Sequence, residues 1–153
     1  MNFIDKQKYI FGSIFLIANR LQVVGDQYLG KDDMTMKQWF LNVMIAQFGD
    51  TPPTLSEVAE LMGSSRQNVK QLALKLEEKG FLIIRKDEQD ARALRLELTD
   101  KSKVFWDKRQ NKDNEYIEEL FREFSPEEID AVCKGFEKLF KRIESLEKET
   151  AEK

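Results

Sequence analysis

Residues 85 to 99, RKDEQDARALRLELT, concentrate charges of both signs around a loop and then alternate leucine with polar residues. A carboxylate two positions before an arginine can accept its hydrogen bonds and hold the guanidinium outward, so that less entropy is lost on binding. A projecting arginine fits the narrow, negative minor groove of A·T-rich DNA. We therefore predict that Asp90 positions Arg92, and that the DNA-contacting side chains of this segment are Arg85, Lys86, Asp90, Arg92 and Arg95. The alternative is an ordinary surface ion pair, worth about 0–1 kcal/mol.

A second group of side chains suited to nucleic acid lies at helical spacing between residues 64 and 75. It consists of Ser64, Ser65, Arg66, Gln67, Asn68, Lys70, Gln71 and Lys75. Arginine and lysine pair with guanine, glutamine and asparagine pair with adenine, and hydroxyls and helix-start N–H groups bind phosphate. Residues 64 to 80 hold four basic and two acidic residues, a local charge of +2 in a chain of net charge −3. The alternative is two packed surface helices whose polar faces are only solvated, because short helix pairs are common.

The composition argues against several other function classes. The 153 residues contain no histidine, which removes the commonest general base and the commonest metal ligand. No nucleophile–base pair, glycine-rich phosphate loop or metal-ligand cluster is apparent, so we expect neither an enzyme nor a bound metal or cofactor. The single cysteine, Cys133, excludes an internal disulfide and suits a reducing cytosol, and we expect it to be inert and partly buried. The absence of a long apolar run and of a signal-peptide start predicts no membrane association and a cytoplasmic location.

Local signals mark the elements that must position these residues. A Ser or Thr followed three positions later by Glu or Gln forms a capping box, and the pairs are Thr35–Gln38, Thr54–Glu57, Ser64–Gln67 and Ser125–Glu128. With the apolar period, they predict helices over 3–28, 36–48, 55–62, 65–79, 100–124 and 126–147. Leu94, Leu96 and Leu98 share one strand face, which predicts a hairpin over 81–86 and 93–98. The fold class is therefore mainly α with a small antiparallel β-hairpin.

The two ends of the chain carry heptad seams. One seam comprises Ile10, Ile14, Ile17, Leu21 and Val24, and the other comprises Ile129, Val132, Phe136, Leu139, Ile143 and Leu146. We predict a helical dimerisation region over 1–30 and 100–147, a winged helix-turn-helix module over 35–98 and a frayed tail over 148–153. One chain pairing its own ends is the alternative. A twofold dimer explains more, because it sets the distance between two DNA-reading heads.

The stretch LSEVAELMGSSRQNVKQLALKLEEKGFLIIRKDEQDAR, followed by Leu98-Thr99 at the end of the strand, resembles the helix-turn-helix and wing of the MarR family (multiple antibiotic resistance regulators). The resemblance covers nearly the whole chain. It implies a homodimeric transcription regulator, most commonly a repressor, bound to double-stranded DNA at a pseudo-palindromic operator. Gln71 stands where many relatives have arginine, which favours adenine there. Leu74 stands where a polar residue is expected, and it either touches a thymine methyl or is buried.

The resemblance also implies a small aromatic or lipophilic effector, bound between the dimer helices and the DNA module. The residues that would line this crevice are Phe11, Phe15, Met36, Trp39, Phe40, Met44 and Trp106. Aromatic and methionine side chains at such spacings are more often plain core. A redox sensor is disfavoured because no cysteine lies near the N-terminal helix. The remaining alternative function is a winged helix that binds a protein or RNA, against which the basic wing tip with Arg92 argues.

Overall fold

The computed structural model describes every residue from Met1 to Lys153. Its elements in chain order are α1 (Phe3–Gly30), α2 (Met36–Ala46), α3 (Leu55–Met62), α4 (Arg66–Glu78), β1 (Leu82–Lys86), β2 (Leu94–Leu98), α5 (Asp100–Leu120) and α6 (Pro126–Ala151). The expected class, mainly helical with one small antiparallel hairpin, is confirmed. The chain divides into two compact units, Met1–Asp107 and Lys108–Lys153, and α5 runs through the boundary. The predicted role of residues 1–30 and 100–147 in dimerisation stays a prediction.

Three of the four capping boxes form as the sequence predicts. The Thr35 hydroxyl accepts from the backbone N–H of Gln38 at 3.2 Å, and the Gln38 side chain accepts from the backbone N–H of Thr35. The boxes that begin at Thr54 and Ser125 have the same reciprocal bonds. Each box satisfies two N–H groups that a helix start leaves without intrahelical partners, which fixes where α2, α3 and α6 begin.

The fourth predicted box, Ser64 with Gln67, is wrong by one residue. Ser65 is the residue that caps α4, and its hydroxyl accepts from the backbone N–H of Asn68 at 3.1 Å. Ser64 is already used by the preceding helix, because its N–H donates to the carbonyl of Ala59 at 3.0 Å. Gly63 makes this possible by adopting a left-handed conformation, with φ of 63°, at the end of α3.

The predicted helix ends need correction on both sides of the α5–α6 turn. α5 ends at Leu120 rather than at 124, and the N–H of Phe124 closes a turn onto the carbonyl of Phe121. α6 continues to Ala151, so residues 148–151 of the predicted frayed tail are helical. Hydrogen bonds in the last turns account for the extension, since the Thr150 hydroxyl donates to the carbonyl of Leu146 at 2.9 Å.

The core of the first unit is built from the helix-turn-helix and the hairpin together. Leu41 of α2, Val58 of α3, Val69 and Leu76 of α4, and Leu96 of β2 are at most 1% exposed. Burial of each such side chain contributes about 1.5–3 kcal/mol, so this cluster is what holds the three helices and the hairpin in one arrangement. Phe105 and Trp106, at the start of α5, pack against the same cluster.

The C-terminal part of α1 lies close against the start of α2. A Cβ atom built on Gly25 would come within 2.3 Å of the Met36 Cγ atom, which a side chain cannot do without displacing Met36. The Asp26 carboxylate accepts from the backbone N–H of Met36 at 2.7 Å. A glycine and the acidic residue after it therefore fix both the distance and the contact between α1 and α2.

The hairpin of residues 82–98 forms the wing, and it is attached along both of its edges. Ile84 pairs with Leu96 and Leu82 pairs with Leu98 in the antiparallel register. At the outer edge of β2, the N–H of Leu96 donates to the carbonyl of Pro53 at 2.9 Å. At the outer edge of β1, the N–H of Ile84 donates to the Glu77 carboxylate of α4 at 2.8 Å.

The second unit contains the end of α5 and all of α6. No residue of α6 is buried in the single chain. Its large exposed apolar side chains are Val132, Phe136, Leu139, Phe140, Ile143 and Leu146, which include most of the predicted heptad seam. None of the helices in the structure combines the length and apolar character that crossing a membrane requires.

Candidate nucleic-acid interface

The helix α4 has an apolar side and a polar side, as a helix that reads a major groove requires. Its buried residues are Val69, Ala73 and Leu76. The opposite side exposes the predicted contact residues Ser65, Arg66, Gln67, Asn68, Lys70, Gln71 and Lys75, whereas Ser64 is partly buried in the turn. All but Ser64 are therefore accessible to a ligand. Of the two alternatives for Leu74, burial is excluded, because this residue is 44% exposed.

The start of α4 provides an anion-binding geometry. Ser65 caps the helix, and its hydroxyl occupies one N–H group, that of Asn68. The other N–H groups of a first turn have no carbonyl partner within a helix, and the helix dipole adds positive potential there. The exposed side chains of Arg66 and Lys70 add positive charge on the same helix. A phosphate group is the ligand that suits this helix end.

The wing tip holds its arginine in the manner that the Asp90-x-Arg92 spacing predicts. Asp90 Oδ1 accepts from both the backbone N–H of Arg92, at 3.0 Å, and its Nε atom, at 3.1 Å. The Arg92 side chain is nevertheless 92% exposed. The Nη2 atom of Arg92 also donates to Asp90 Oδ2 at 3.5 Å, so the carboxylate restrains one edge of the guanidinium and the other edge remains open to a partner.

The two basic residues at the end of β1, Arg85 and Lys86, differ in how far their charge is neutralised within the protein. Lys86 is exposed at the end of β1. Arg85 is half-buried, and its Nε atom lies 3.4 Å from the Glu97 carboxylate on the paired strand. Arg85 is consequently a partly neutralised member of the predicted set, whereas Lys86 carries an unpaired charge.

Arg95 was predicted to contact DNA, but the structure does not expose its side chain for such a contact. Its side chain is only 26% exposed, and its Nε atom donates to Asp87 Oδ1 at 2.7 Å. Its Nη1 atom donates to the carbonyl of Pro52 at 2.8 Å and lies 3.8 Å from the Glu57 carboxylate. The guanidinium is committed to partners inside the protein, so the structure places Arg95 with the internal contacts of the wing rather than with its DNA-facing side chains.

Two carboxylates next to Arg95 have altered acidity. The hydrogen bond from Arg95, together with those from the backbone N–H groups of Asp90 and Gln89, holds the pKa of the Asp87 carboxyl below its usual range. The pKa of Glu57 is also lowered, chiefly by hydrogen bonds from the backbone and hydroxyl of Thr54, with the positive charge of Arg95 contributing. Both carboxylates are therefore ionised at neutral pH, as partners of a guanidinium must be.

The seven residues predicted to bind an effector do not share one environment. Met36, Trp39, Met44 and Trp106 are partly buried against the core, which is the plain-core alternative. Phe11, Phe15 and Phe40 are exposed. A polar hollow of about 280 Å³ lies beside the wing, and none of the seven lines it; the lining residues are Thr51, Pro52, Arg85, Asp87, Glu88, Gln89 and Arg95. Cys133, expected to be partly buried, is exposed in the single chain.

Sequence reasoning missed three contributors to this site. Asp87, which is not among the predicted site residues, accepts from Arg95 across the hairpin. Glu77 of α4 accepts from the backbone N–H of Ile84 at the edge of β1, a contact that helical spacing does not predict. The hairpin register makes Asp87 and Arg95 diagonal neighbours on one face and so could have predicted their ion pair, but nothing in the sequence indicates that the carbonyl of Pro52 also accepts from Arg95.

The sequence matches no protein-family model. It is 30% identical over 119 residues to YfiV of Bacillus subtilis (strain 168), an uncharacterized HTH-type transcriptional regulator, and the match covers 78% of this chain and 73% of that protein. It is also 30% identical over 94 residues to the transcriptional repressor MprA of Escherichia coli (strain K12). That match covers 61% of this chain and 53% of MprA.

Solved structures with the same fold include several winged-helix regulators. A MarR protein from Peptoclostridium difficile superposes with a TM-score of 0.77 at 21% identity, over 89% of this chain and 88% of that one. The S. aureus MepR–DNA complex superposes with a TM-score of 0.72 at 22% identity, over 90% of this chain and 97% of that one. At these identities the superpositions establish the fold, and the sequence relatives carry the family assignment.

Proposed function

The chain belongs to the MarR family of winged-helix transcription regulators, and we propose that it acts as a dimeric repressor that reads a pseudo-palindromic operator in double-stranded DNA. The observation that carries the proposal is the combination of two features in one unit. The polar side of α4 presents arginine, lysine and glutamine side chains, and the wing projects Arg92. No catalytic step and no cofactor belong to this function.

We assign α4 to the major groove and the wing tip to the adjacent minor groove. An α-helix fits the major groove, where Arg66 and Lys70 can pair with guanine and Gln67 and Gln71 with adenine. The narrow minor groove of A·T-rich DNA attracts an exposed guanidinium, which is what Arg92 offers. Ser65 and the first turn of α4 are assigned to the phosphate backbone.

A second copy of the chain is the proposed partner of the exposed apolar faces. α1 exposes Phe3, Ile10, Phe11, Ile14, Phe15 and Ile17, and α6 exposes the heptad residues from Val132 to Leu146. Exposed apolar faces of this length are typical of interfaces between chains. A twofold dimer would present two copies of α4 to two half-sites about one helical turn of DNA apart. The S. aureus MepR structure, which has the same fold and was solved with DNA, supports the use of this fold in DNA binding.

The proposal extends to an effector and a location. A small aromatic or lipophilic molecule that relieves DNA binding is what the family resemblance implies. Of the exposed rings in the predicted set, Phe40 lies outside the α1 face assigned to the second copy, so it is the one that such a molecule could reach in the dimer. A cytoplasmic location follows from the proposed function, because that is where an operator-binding regulator of this family meets DNA.

Fluorescence anisotropy with the DNA upstream of the protein's own gene, or with a duplex selected from a random library, tests the function. We expect specific DNA to bind about a thousandfold more tightly than random DNA, with log affinity falling by about 0.9 per phosphate contact as log salt rises. Charge reversal of Arg66, Lys70 and Arg92 to glutamate abolishes this binding.

The matched control reverses three exposed lysines outside α4 and the wing, namely Lys31, Lys37 and Lys103. It changes net charge equally and leaves the selectivity in place. Weak, unselective binding by the wild-type chain to both kinds of duplex, with no difference between the two triple variants, would instead support a protein or RNA partner for the winged helix.

A further inference from the structure

A continuous series of polar contacts runs from the start of α3 to the wing tip. At its fixed end, the Arg95 guanidinium donates to the carbonyl of Pro52 at 2.8 Å and lies 3.8 Å from the Glu57 carboxylate of α3. Backbone contacts reinforce this end, because Thr54 forms an isolated bridge with Arg95. The guanidinium is therefore tied to the helix-turn-helix, not only to its own strand.

The middle of the series is the Asp87 carboxylate, which uses both oxygens. Oδ1 accepts from Arg95 Nε at 2.7 Å, the shortest ion pair of the wing. Oδ2 accepts from the backbone N–H groups of Asp90, at 3.0 Å, and Gln89, at 3.3 Å. The side chain of Asp87 is only 17% exposed, so water competes weakly for these bonds. Asp87 thus fixes the backbone of the tip relative to Arg95.

The far end of the series is the DNA-facing side chain. Asp90, whose backbone is held by Asp87, accepts one hydrogen bond from the backbone N–H of Arg92 and two from its guanidinium. The carbonyl of Asp90 also accepts from the N–H of Ala93 at 3.0 Å, which closes the loop. Each link restrains the next, and the Arg92 guanidinium is the first member of the series that faces solvent almost completely.

We propose that Arg95 and Asp87 are positioning residues for DNA recognition: they aim Arg92 by fixing the wing tip to the start of α3, and neither contacts DNA. The proposal rests on the proposed function, since it concerns how the wing meets a duplex. Arg95 is only 26% exposed and has three partners within the protein, and both observations argue against a direct phosphate contact. A side chain already immobilised before binding loses less entropy in the complex, and this is the gain that the series provides.

The neighbouring residues Asp87 and Glu88 offer a matched test. Both are acidic and adjacent in the wing loop, but Glu88 is exposed and its side chain makes no hydrogen bond or ion pair. If only charge matters, Asp87→Asn and Glu88→Gln both strengthen binding, because each removes one negative charge close to the DNA. If Asp87 positions Arg92, Glu88→Gln strengthens binding slightly whereas Asp87→Asn weakens it about two- to tenfold, the cost of immobilising a flexible side chain on binding.

A charge-conserving change at Arg95 gives the second arm. Arg95→Lys keeps the positive charge, but a lysine cannot form the paired, planar contacts of a guanidinium. We expect it to weaken binding by a similar factor, whereas a direct phosphate contact would largely survive the change. This variant also carries the test should Asp87→Asn fail to fold, which circular dichroism and the thermal unfolding midpoint report.

The decisive measurement repeats Asp87→Asn and Arg95→Lys in an Arg92→Ala background, by fluorescence anisotropy on a duplex selected from a random library. A residue that acts through Arg92 has no effect once Arg92 is gone, so Asp87→Asn no longer weakens binding there. Loss of affinity of equal size in both backgrounds overturns the proposal, as does an Asp87→Asn variant that behaves like Glu88→Gln. Failure of the proposed function is distinguishable, because the wild-type chain itself then shows no selective binding.

Discussion

The two units of the chain differ in what a single copy provides. In the first unit, α2, α3, α4 and the wing enclose a common core whose central side chains, such as Leu41 and Val69, are inaccessible to solvent. In the second unit, the 26 residues of α6 include none that is buried, although its apolar residues repeat at heptad spacing. The DNA-reading unit therefore carries its own stabilising contacts, whereas α6 has a face prepared for contacts that a single chain does not supply.

The largest effect is expected from a cavity in the first unit. Leu96→Ala removes a fully buried side chain between the wing and the helices, and should lower the free energy of unfolding by about 2–5 kcal/mol. Urea denaturation followed by circular dichroism measures it. Leu74→Ala, at an exposed leucine of α4, is the matched control and should change the same quantity by less than about 0.5 kcal/mol. Equal losses in the two variants would mean that the module has no closed core of its own.

The second effect concerns association rather than folding of the module. Ile143→Glu places a charge in the exposed seam of α6 and should weaken dimerisation by at least about thirtyfold, the cost expected at the centre of an interface. Sedimentation equilibrium reports the dissociation constant. Ser145→Glu adds the same charge two residues away, outside the seam, and should leave the dimer intact. A chain that is monomeric before any substitution contradicts the proposed use of this face.

A smaller effect separates two leucines that are equally exposed. Leu74 on α4 and Leu146 on α6 are both 44% exposed, but we expect the first to meet a thymine methyl and the second to meet another chain. Leu74→Ala should reduce the preference for a thymine-containing operator over the same operator with uracil by about fourfold, the worth of one buried methyl group. Leu146→Ala should leave that ratio unchanged. Anisotropy competition gives both ratios, and a ratio that is one for the wild-type chain rules out methyl contact.

The smallest effect is a pH dependence within the wing. The pKa of Asp87 is lowered by Arg95 and by backbone N–H groups, so its contribution to stability is present above the ordinary value of about 3.9 and is lost as the pH falls through the lower folded value. Asp87→Asn should therefore destabilise the chain more at about pH 6 than at about pH 3. Urea midpoints at the two pH values measure this. For Glu88→Gln, the difference in midpoint from the wild-type chain should not depend on pH. A difference for Asp87→Asn that is as large at pH 3 as at pH 6 would exclude an ionic role for Asp87.

The parts of the fold that sequence reasoning predicted correctly depend on short-range physics. Thr35, Thr54 and Ser125 cap their helices through bonds that reach three residues along the chain. The alternation of leucines predicted the strand whose central residue, Leu96, is fully buried. The hydrogen bonds of Asp90 to Arg92 span two residues, and they too followed from spacing alone.

The parts that sequence reasoning missed depend on which groups are already occupied in three dimensions. The capping pattern predicts Ser64 as the cap of α4, but the N–H of Ser64 donates to the end of α3 and Ser65 is the residue that caps the helix. Arg95 looked equal to Arg92 as a DNA contact, because only the fold brings the carbonyl of Pro52 and the carboxylate of Glu57 to its guanidinium. Residue type shows what a side chain can bind, whereas the fold decides whether it is free to do so.

The close approach of Gly25 to Met36 fixes the position of the C-terminal end of α1 against α2. A helix rises about 1.5 Å per residue, so the part of α1 from Phe3 to Gly25 is roughly 33 Å long. Tilting a helix of this length by a few degrees at its base moves its far end by more than an ångström. In a dimer joined through α1, the angle of this helix would set the distance between the two DNA-binding units. A methyl group added at Gly25 would then change that distance without altering the surface that contacts DNA.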